Sequence, residues 1–212
     1  MQLAVTPLRV AVFASGNGSN LQALLETLPA NGPAQVALVL HAPGAGAAAR
    51  ARAAGIPHAA INNPADGEWL LAELAKHAIG FVVLAGYLKL VPAGVVSAFA
   101  DRMINIHPAL LPAFGGRGMY GIRVHQAVLA SGATVSGPTV HLVSGEYDRG
   151  AILAQWPVPV RADDTPETLR DRVLAVEHRL LPAVVLAAAR AQGRAVRLVP
   201  GVDAFPFAPE EA

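Results

Sequence analysis

The sequence predicts an α/β fold, a mostly parallel but mixed sheet with helices on both faces. Three observations carry this. Short β-rich apolar runs alternate with helix-period segments along the first half of the chain, which is the pattern of strands joined by crossover helices. The first runs are apolar at nearly every position, as strands buried on both faces must be. Two later β-rich runs follow each other with only a Gly-containing turn between them, so part of the sheet is antiparallel.

The strands expected from this pattern are Arg9 to Ala14, Gln35 to Leu40, Pro57 to Ile61, Phe81 to Ala85 and Met103 to Ile106. Ser19 is positioned to cap the first helix, with Gln22 three residues on in the capping-box place and Leu21, Leu24 and Leu25 forming the apolar stripe. Gly16-Asn17-Gly18 is then the strand-to-helix turn. The fifth strand runs into His107-Pro108, where proline blocks simple continuation. Ala109 to Gly121 is too rich in Pro and Gly for a regular element, and loops of this length in compact domains are often functional. A short helix is expected over Ile122 to Ala130, a hairpin over Thr134 to Val143 and Ala151 to Val160, and a long amphipathic helix over Pro166 to Ala191. The whole chain, 1–212, is expected to be one domain, with a loosely packed tail from about Pro200.

Composition narrows the function classes. With 53% hydrophobic and 15% charged residues, 212 residues suit one globular core. A net charge of +1 lacks the basic excess of a nucleic-acid binder. Lys76 and Lys89 are the only lysines among 16 basic residues, a compositional bias. There is no cysteine, hence no disulfide or thiolate, and the seven histidines show no metal-ligand spacing, so no metal is expected. The longest apolar stretches are short of a membrane span, and Met1 to Leu8 is unlike a secretory start, which makes a cytoplasmic protein the expectation.

Three places can carry chemistry. Ser15-Gly16-Asn17-Gly18-Ser19-Asn20 places free N–H groups at a helix N-terminus, which suits a phosphate, although an ordinary tight turn reads the same. A third glycine is missing where Leu21 stands and there is no Gly-Lys-Ser/Thr, so neither a dinucleotide fingerprint nor a P-loop is present. Asn105 and His107 lie two apart in an extended segment and so share a face, able to present an amide and an imidazole to an oxyanion, or merely to satisfy backbone groups freed at Pro108. Asp148, in the hairpin turn, can orient His107 or carry a proton, or simply make the turn. His141 leads into that turn and can support the same cleft. Gly115-Gly116-Arg117-Gly118 adds a basic loop.

Together these segments resemble the phosphoribosylglycinamide formyltransferase family, from Val10 to about Pro182. The resemblance is carried by Ser15 to Asn20, by Leu84-Ala85-Gly86-Tyr87-Leu88, by Ile104-Asn105-Ile106-His107-Pro108-Ala109-Leu110-Leu111-Pro112, by Thr139-Val140-His141 and by Asp148-Arg149-Gly150, in that order. It implies a Rossmann-like fold and transfer of a formyl group from 10-formyltetrahydrofolate to the amine of 5-phosphoribosylglycinamide. It also implies Asn105, His107 and Asp148 as catalytic residues. Ser15, Gly16, Asn17, Gly18 and Ser19 would hold the phosphate and Glu177 the ribose hydroxyls. Leu88, Lys89, Leu90 and Val91, with Asn105, Glu146, Tyr147 and Asp148, would surround the folate. The partners implied are these small molecules, with no nucleic acid and no membrane; a homodimer is allowed. Leu174 stands where a polar or basic phosphate contact is expected, Lys89 replaces an arginine, and Phe114 to Arg123 is longer than in the shortest members. The rivals are a formyltetrahydrofolate deformylase and a methionyl-tRNA formyltransferase, each of which carries a further domain, and a non-catalytic phosphate-binding module, in which Asn105, His107 and Asp148 need not converge.

Overall fold

A computed structural model describes residues 6–28 and 31–198 of the chain. The expected tail from about Pro200 lies outside the described residues. Strands β1 (Leu8–Ala14), β2 (Ala34–His41), β3 (His58–Ala60), β4 (Phe81–Leu84) and β5 (Met103–His107) are parallel, and β7 (Thr139–Leu142) and β8 (Ile152–Gln155) complete a seven-stranded sheet in antiparallel sense. The order is β3-β2-β1-β4-β5-β7-β8. This is the mixed α/β sheet that the alternation of runs predicts.

Side chains alternate across each strand, so β1 divides between two cores: Val10, Val12 and Ala14 face one, Ala11 and Phe13 the other. The first core is roofed by α1 (Ser19–Thr27), α2 (Ala47–Ala53) and the 25-residue α6 (Pro166–Arg190), through Leu21 and Leu24, Ala47 and Ala51, and Leu169, Val173, Leu180 and Val184. The second is roofed by α3 (Gly67–Lys76) and α4 (Ala93–Ala98) through Leu70, Leu74 and Val95. Each fully buried Leu or Phe contributes on the order of 1.5–3 kcal/mol, which is why both layers close on one sheet. The remaining helix, α5 (Ile122–Ala130), packs on α6 and has the bounds the sequence predicts. Thr165 starts α6 with a capping box shared with Thr168, and Arg172 clamps this end with two 2.7 Å bonds to the Asp164 carboxylate.

Two expectations are corrected. Ser19 does not cap α1: Gly18, at φ 75°, occupies the N-cap, and the left-handed turn there brings Ser19 into the helix itself. The Gln22 side chain donates to Glu26 at 2.8 Å instead of reaching back. The hairpin arms are also shorter than Thr134 to Val143 and Ala151 to Val160. Pro138 and Pro157 lack the N–H a ladder needs, and beyond them β6 (Val135–Ser136) and β9 (Val158–Pro159) peel off as a separate two-stranded ribbon.

The turn between β7 and β8 is closed by contact of backbone on backbone. A Cβ on Gly150 would stand 1.6 Å from the Leu142 carbonyl oxygen. Gly150→Ala is therefore expected to destabilise the protein by at least about 3 kcal/mol, read as the loss or downward shift of the thermal unfolding transition by circular dichroism; an unchanged transition would contradict this packing.

Candidate active site

The chain turns from one side of β1 to the other between β3 and β4, and this reversal opens a crevice at the carboxyl ends of the strands, where α/β sheets bind ligands. A cavity of about 730 Å³ lies there. Ser15 follows β1, Gly86 to Lys89 follow β4, and Asn105 to Pro108 end β5; all line it, joined by Asn20, Leu174 and Glu177 from the helices and by Tyr147 and Asp148 from the hairpin turn. Ser15 ties the first two loops together, its N–H donating to Gly86 O at 3.1 Å and its Oγ accepting from Leu88 N at 3.1 Å.

Strand register explains the central cluster. Antiparallel pairing sets Asn105 opposite His141 and His107 opposite Thr139. Directly opposed side chains are near neighbours, and Asn105 Nδ2 lies 3.0 Å from His141 Nε2. His141 Nδ1 meets Leu142 O at 2.8 Å, and its Nε2 also lies 3.5 Å from Asp148 Oδ1. Asp148 sits in the left-handed region at φ 56°, a conformation aspartate tolerates better than most residues. This places its carboxylate between the other two side chains: Oδ1 is 3.4 Å from Asn105 Nδ2, and Oδ2 is 3.6 Å from His107 Nδ1. Oδ2 also accepts from Gly116 N at 2.8 Å. The three residues thus converge, with the carboxylate at the centre rather than behind the imidazole.

His107 is held from its far side. Its Nε2–H donates to the Phe114 carbonyl at 2.8 Å, which leaves Nδ1 as the nitrogen facing Asp148. Burial lowers the His107 pKa and outweighs the attraction of Asp148, so the ring is neutral at neutral pH. Burial works to raise the Asp148 carboxyl, but the His141 and His107 imidazoles and the Gly116 N–H together hold it below the usual carboxylate range. The loop after Pro108 is pinned as well: Thr139 Oγ1 donates to Ala109 O at 2.6 Å and accepts from Leu111 N at 3.0 Å.

At the α1 side of the cavity, Asn20 Nδ2 donates to Glu177 Oε2 at 2.6 Å. Glu177 is only 6% exposed. Burial pushes its carboxyl from the usual 4.5 up to about 7, and the Asn20 bond opposes this only partly. A raised carboxyl pKa favours folding below about 4.5 and loses that contribution as pH rises through about 7. Glu177→Gln keeps an acceptor for Asn20 and removes the titration. Relative to this variant, the wild type is expected to lose thermal stability as pH is raised from 4.5 to 7; parallel Tm profiles would contradict the assignment.

Some expected residues stand off the cavity wall. Gly16, Asn17, Gly18 and Ser19 do not line it, although Ser15 and Asn20 on either side do. Val91 is buried in the core beneath α3 and α4, and Leu90 and Glu146 lie outside the lining. Leu88 lines the cavity while 45% exposed, and Lys89 and Tyr147 line it with Leu88. The sequence reading missed Arg123, His125 and Arg170, all of which line the cavity. Burial, and after it the Arg170 charge, pushes His125 down to about 4. Arg170 shares the helical face of Leu174 and Glu177 at the i, i+4, i+7 spacing, a signal present in the sequence. Among the described residues no helix is long and apolar enough to cross a membrane, and no three His, Asp or Glu side chains are grouped as a metal ion requires.

Residues 8–185 match the family model for formyl transferase. A phosphoribosylglycinamide formyltransferase of Arabidopsis thaliana, named as chloroplastic, is 51% identical over 84% of this chain, which spans 64% of that protein's length, less than two thirds. The phosphoribosylglycinamide formyltransferase of Mycobacterium tuberculosis is 40% identical over 86% of each chain. The crystal structure of the enzyme of that name from Anaplasma phagocytophilum superposes with a TM-score of 0.81 at 34% identity, covering 88% of each chain. That from Brucella melitensis superposes with a TM-score of 0.78 at 38% identity, covering 87% of this chain and 96% of the other. The chain described here belongs to the formyl transferase family, alongside its phosphoribosylglycinamide formyltransferases.

Proposed function

We propose that this protein transfers the formyl group of 10-formyltetrahydrofolate to the amine of 5-phosphoribosylglycinamide, in de novo purine biosynthesis, as a single-domain cytoplasmic enzyme. The observation that carries the reading is the Asp148 carboxylate flanked by Asn105 and His107 inside a cavity with a helix N-terminus at its α1 side. A binding module would have no use for that convergence. The residues present fit both ligands. Exposed Leu88, and Tyr147 on the same cavity's wall, offer apolar surface that a pterin ring would cover, and Lys89 offers a cation for the donor's carboxylates. Glu177 and the loop from Ser15 to Ser19 suit a ribose phosphate.

The formyl folate supplies the carbon that the acceptor amine attacks. Everything else is done by the chain. As the new C–N bond forms, negative charge gathers on the formyl oxygen, and an Asn105 N–H exchanges its long 3.4 Å contact with Asp148 for that oxygen. The ionised Asp148 takes the proton released by the amine and passes it to the neutral His107 at Nδ1, the nitrogen left free by the Phe114 bond. The resulting imidazolium stands beside a carboxylate, which stabilises it, and returns the proton to the departing folate nitrogen as the old C–N bond breaks. His141 holds the Asn105 amide in place through Nε2.

The test is a spectroscopic assay of deformylation with a 10-formyl folate, run with and without 5-phosphoribosylglycinamide. Deformylation that requires the acceptor and yields formylated glycinamide supports the proposal. Acceptor-independent deformylation would make the protein a hydrolase, and no turnover would leave a binding module.

A further inference from the structure

The cation expected near the phosphate is missing at Leu174, yet the loop that would bind the phosphate is not without one. Arg50, on α2, reaches beneath it. Arg50 Nε donates to the Asn17 carbonyl at 2.7 Å, and Nη1 donates to Gln22 Oε1 at 3.1 Å. One guanidinium therefore bridges the loop and the first turn of α1.

The effect on the loop is specific. Three successive carbonyls are engaged: Gly16 O accepts from Ala47 N at 3.3 Å, Asn17 O from Arg50, and Gly18 O from Gln22 N at 2.9 Å. The N–H groups of Gly16, Asn17, Gly18 and Ser19 meanwhile donate to no group among the described residues. A loop binds an anion when its N–H groups point to one side and its carbonyls are held elsewhere. Without the Arg50 bond, the Asn17 carbonyl would be free to turn toward the ligand and repel it.

Arg50 is also electrically available. Among the described residues it forms no ion pair, whereas the cavity-lining Arg170 is paired with Asp171 at 2.8 Å. Its stem packs under the loop, since a Cβ on Gly18 would lie 3.3 Å from Arg50 Cδ and 2.9 Å from Ala47 Cα. Charge and orientation thus come from α2 rather than from Leu174 on α6.

We propose that Arg50 is a positioning residue for the phosphate of the acceptor: it holds the Asn17 carbonyl out of the anion site and supplies the positive charge that Leu174 lacks. This rests on the formyl-transfer reading for the identity of the acceptor, but not for the chemistry of a phosphate monoester. Arg50→Met keeps the apolar stem and removes charge and donors; Arg50→Lys keeps the charge and loses the planar fork.

The experiment is calorimetric titration of ribose 5-phosphate into wild type and both variants, with steady-state kinetics on each substrate. Arg50→Met is expected to weaken ribose 5-phosphate and raise the acceptor KM by about tenfold, the worth of one charged hydrogen bond. Its kcat and its KM for the formyl folate should stay within about twofold, a split that general damage to the fold does not produce. Arg50→Lys should recover part of the loss. Wild-type affinity in Arg50→Met, equal loss of kcat and of both KM values, or no binding of ribose 5-phosphate by the wild type would each overturn the proposal. If ribose 5-phosphate binding depends on Arg50 but no formyl group is transferred, the enzyme reading fails and this one stands. If formyl transfer occurs and Arg50→Met matches the wild type, the reverse holds.

Discussion

Asp148→Asn is expected to lower kcat by about 10³-fold, while the KM of each substrate and the melting temperature change little. The carboxylate lies 3.4 Å from Asn105 Nδ2 and 3.6 Å from His107 Nδ1, and it is held ionised by its neighbours. An amide in its place keeps its oxygen toward Gly116 N at the Oδ2 position and puts its NH2 at the Oδ1 position beside His141 Nε2, so the local structure survives. What it loses is the ability to take a proton. Steady-state kinetics beside a thermal melt separates the two: a variant that turns over like the wild type would remove Asp148 from the mechanism, and one that fails to fold would shift attention to Asp148→Glu.

His107→Ala is expected to cost about 10²- to 10⁴-fold in kcat, the usual range for a positioned acid or base. Binding of a ribose phosphate should be nearly unchanged, because the phosphate loop stands on β1 and α1 rather than on β5. The pH dependence supplies a second reading. In the proposed path His107 must be neutral to receive the proton, and burial lowers its pKa from 6.5. Wild-type kcat/KM should therefore fall only as pH drops below 6.5, and this acid limb should vanish in His107→Ala. A limb that persists unchanged would belong to another group, and Glu177, raised to about 7, is the one to examine with Glu177→Gln.

Much of the site was legible in the sequence because its chemistry is local. Asn105 and His107 share a face by the two-residue period of a strand, and the Gly16 to Gly18 turn ends a strand and begins a helix. Periodicity and turn chemistry report such relations directly. Arg123, His125 and Arg170 escaped because their relevance depends on which face of α5 and α6 meets the loop after Pro108, a matter of packing between elements far apart in the chain. The capping expectation at Ser19 failed for a related reason. The Ser19 and Gln22 spacing is correct for a cap, but the left-handed Gly18 turn, packed on Ala47, decides where the helix starts. Pro138 and Pro157 were visible, yet only the register of β7 and β8 shows that they divide each hairpin arm in two.

By itself the sequence determined the α/β class, the bounds of α5 and α6 within a residue, and the shared face of Asn105 and His107, because these follow from hydrophobic period, end signals and the two-residue period of a strand. The tertiary structure alone decided that Asp148 stands between Asn105 and His107, that the Phe114 carbonyl takes Nε2 and leaves Nδ1 facing Asp148, and that Arg50 bonds the Asn17 carbonyl. The physical reason is one of range. The Asp148 contacts with Asn105 and His107 and the Arg50 bond to the Asn17 carbonyl each join residues more than 30 positions apart, and only strand register and crossover packing bring them within reach.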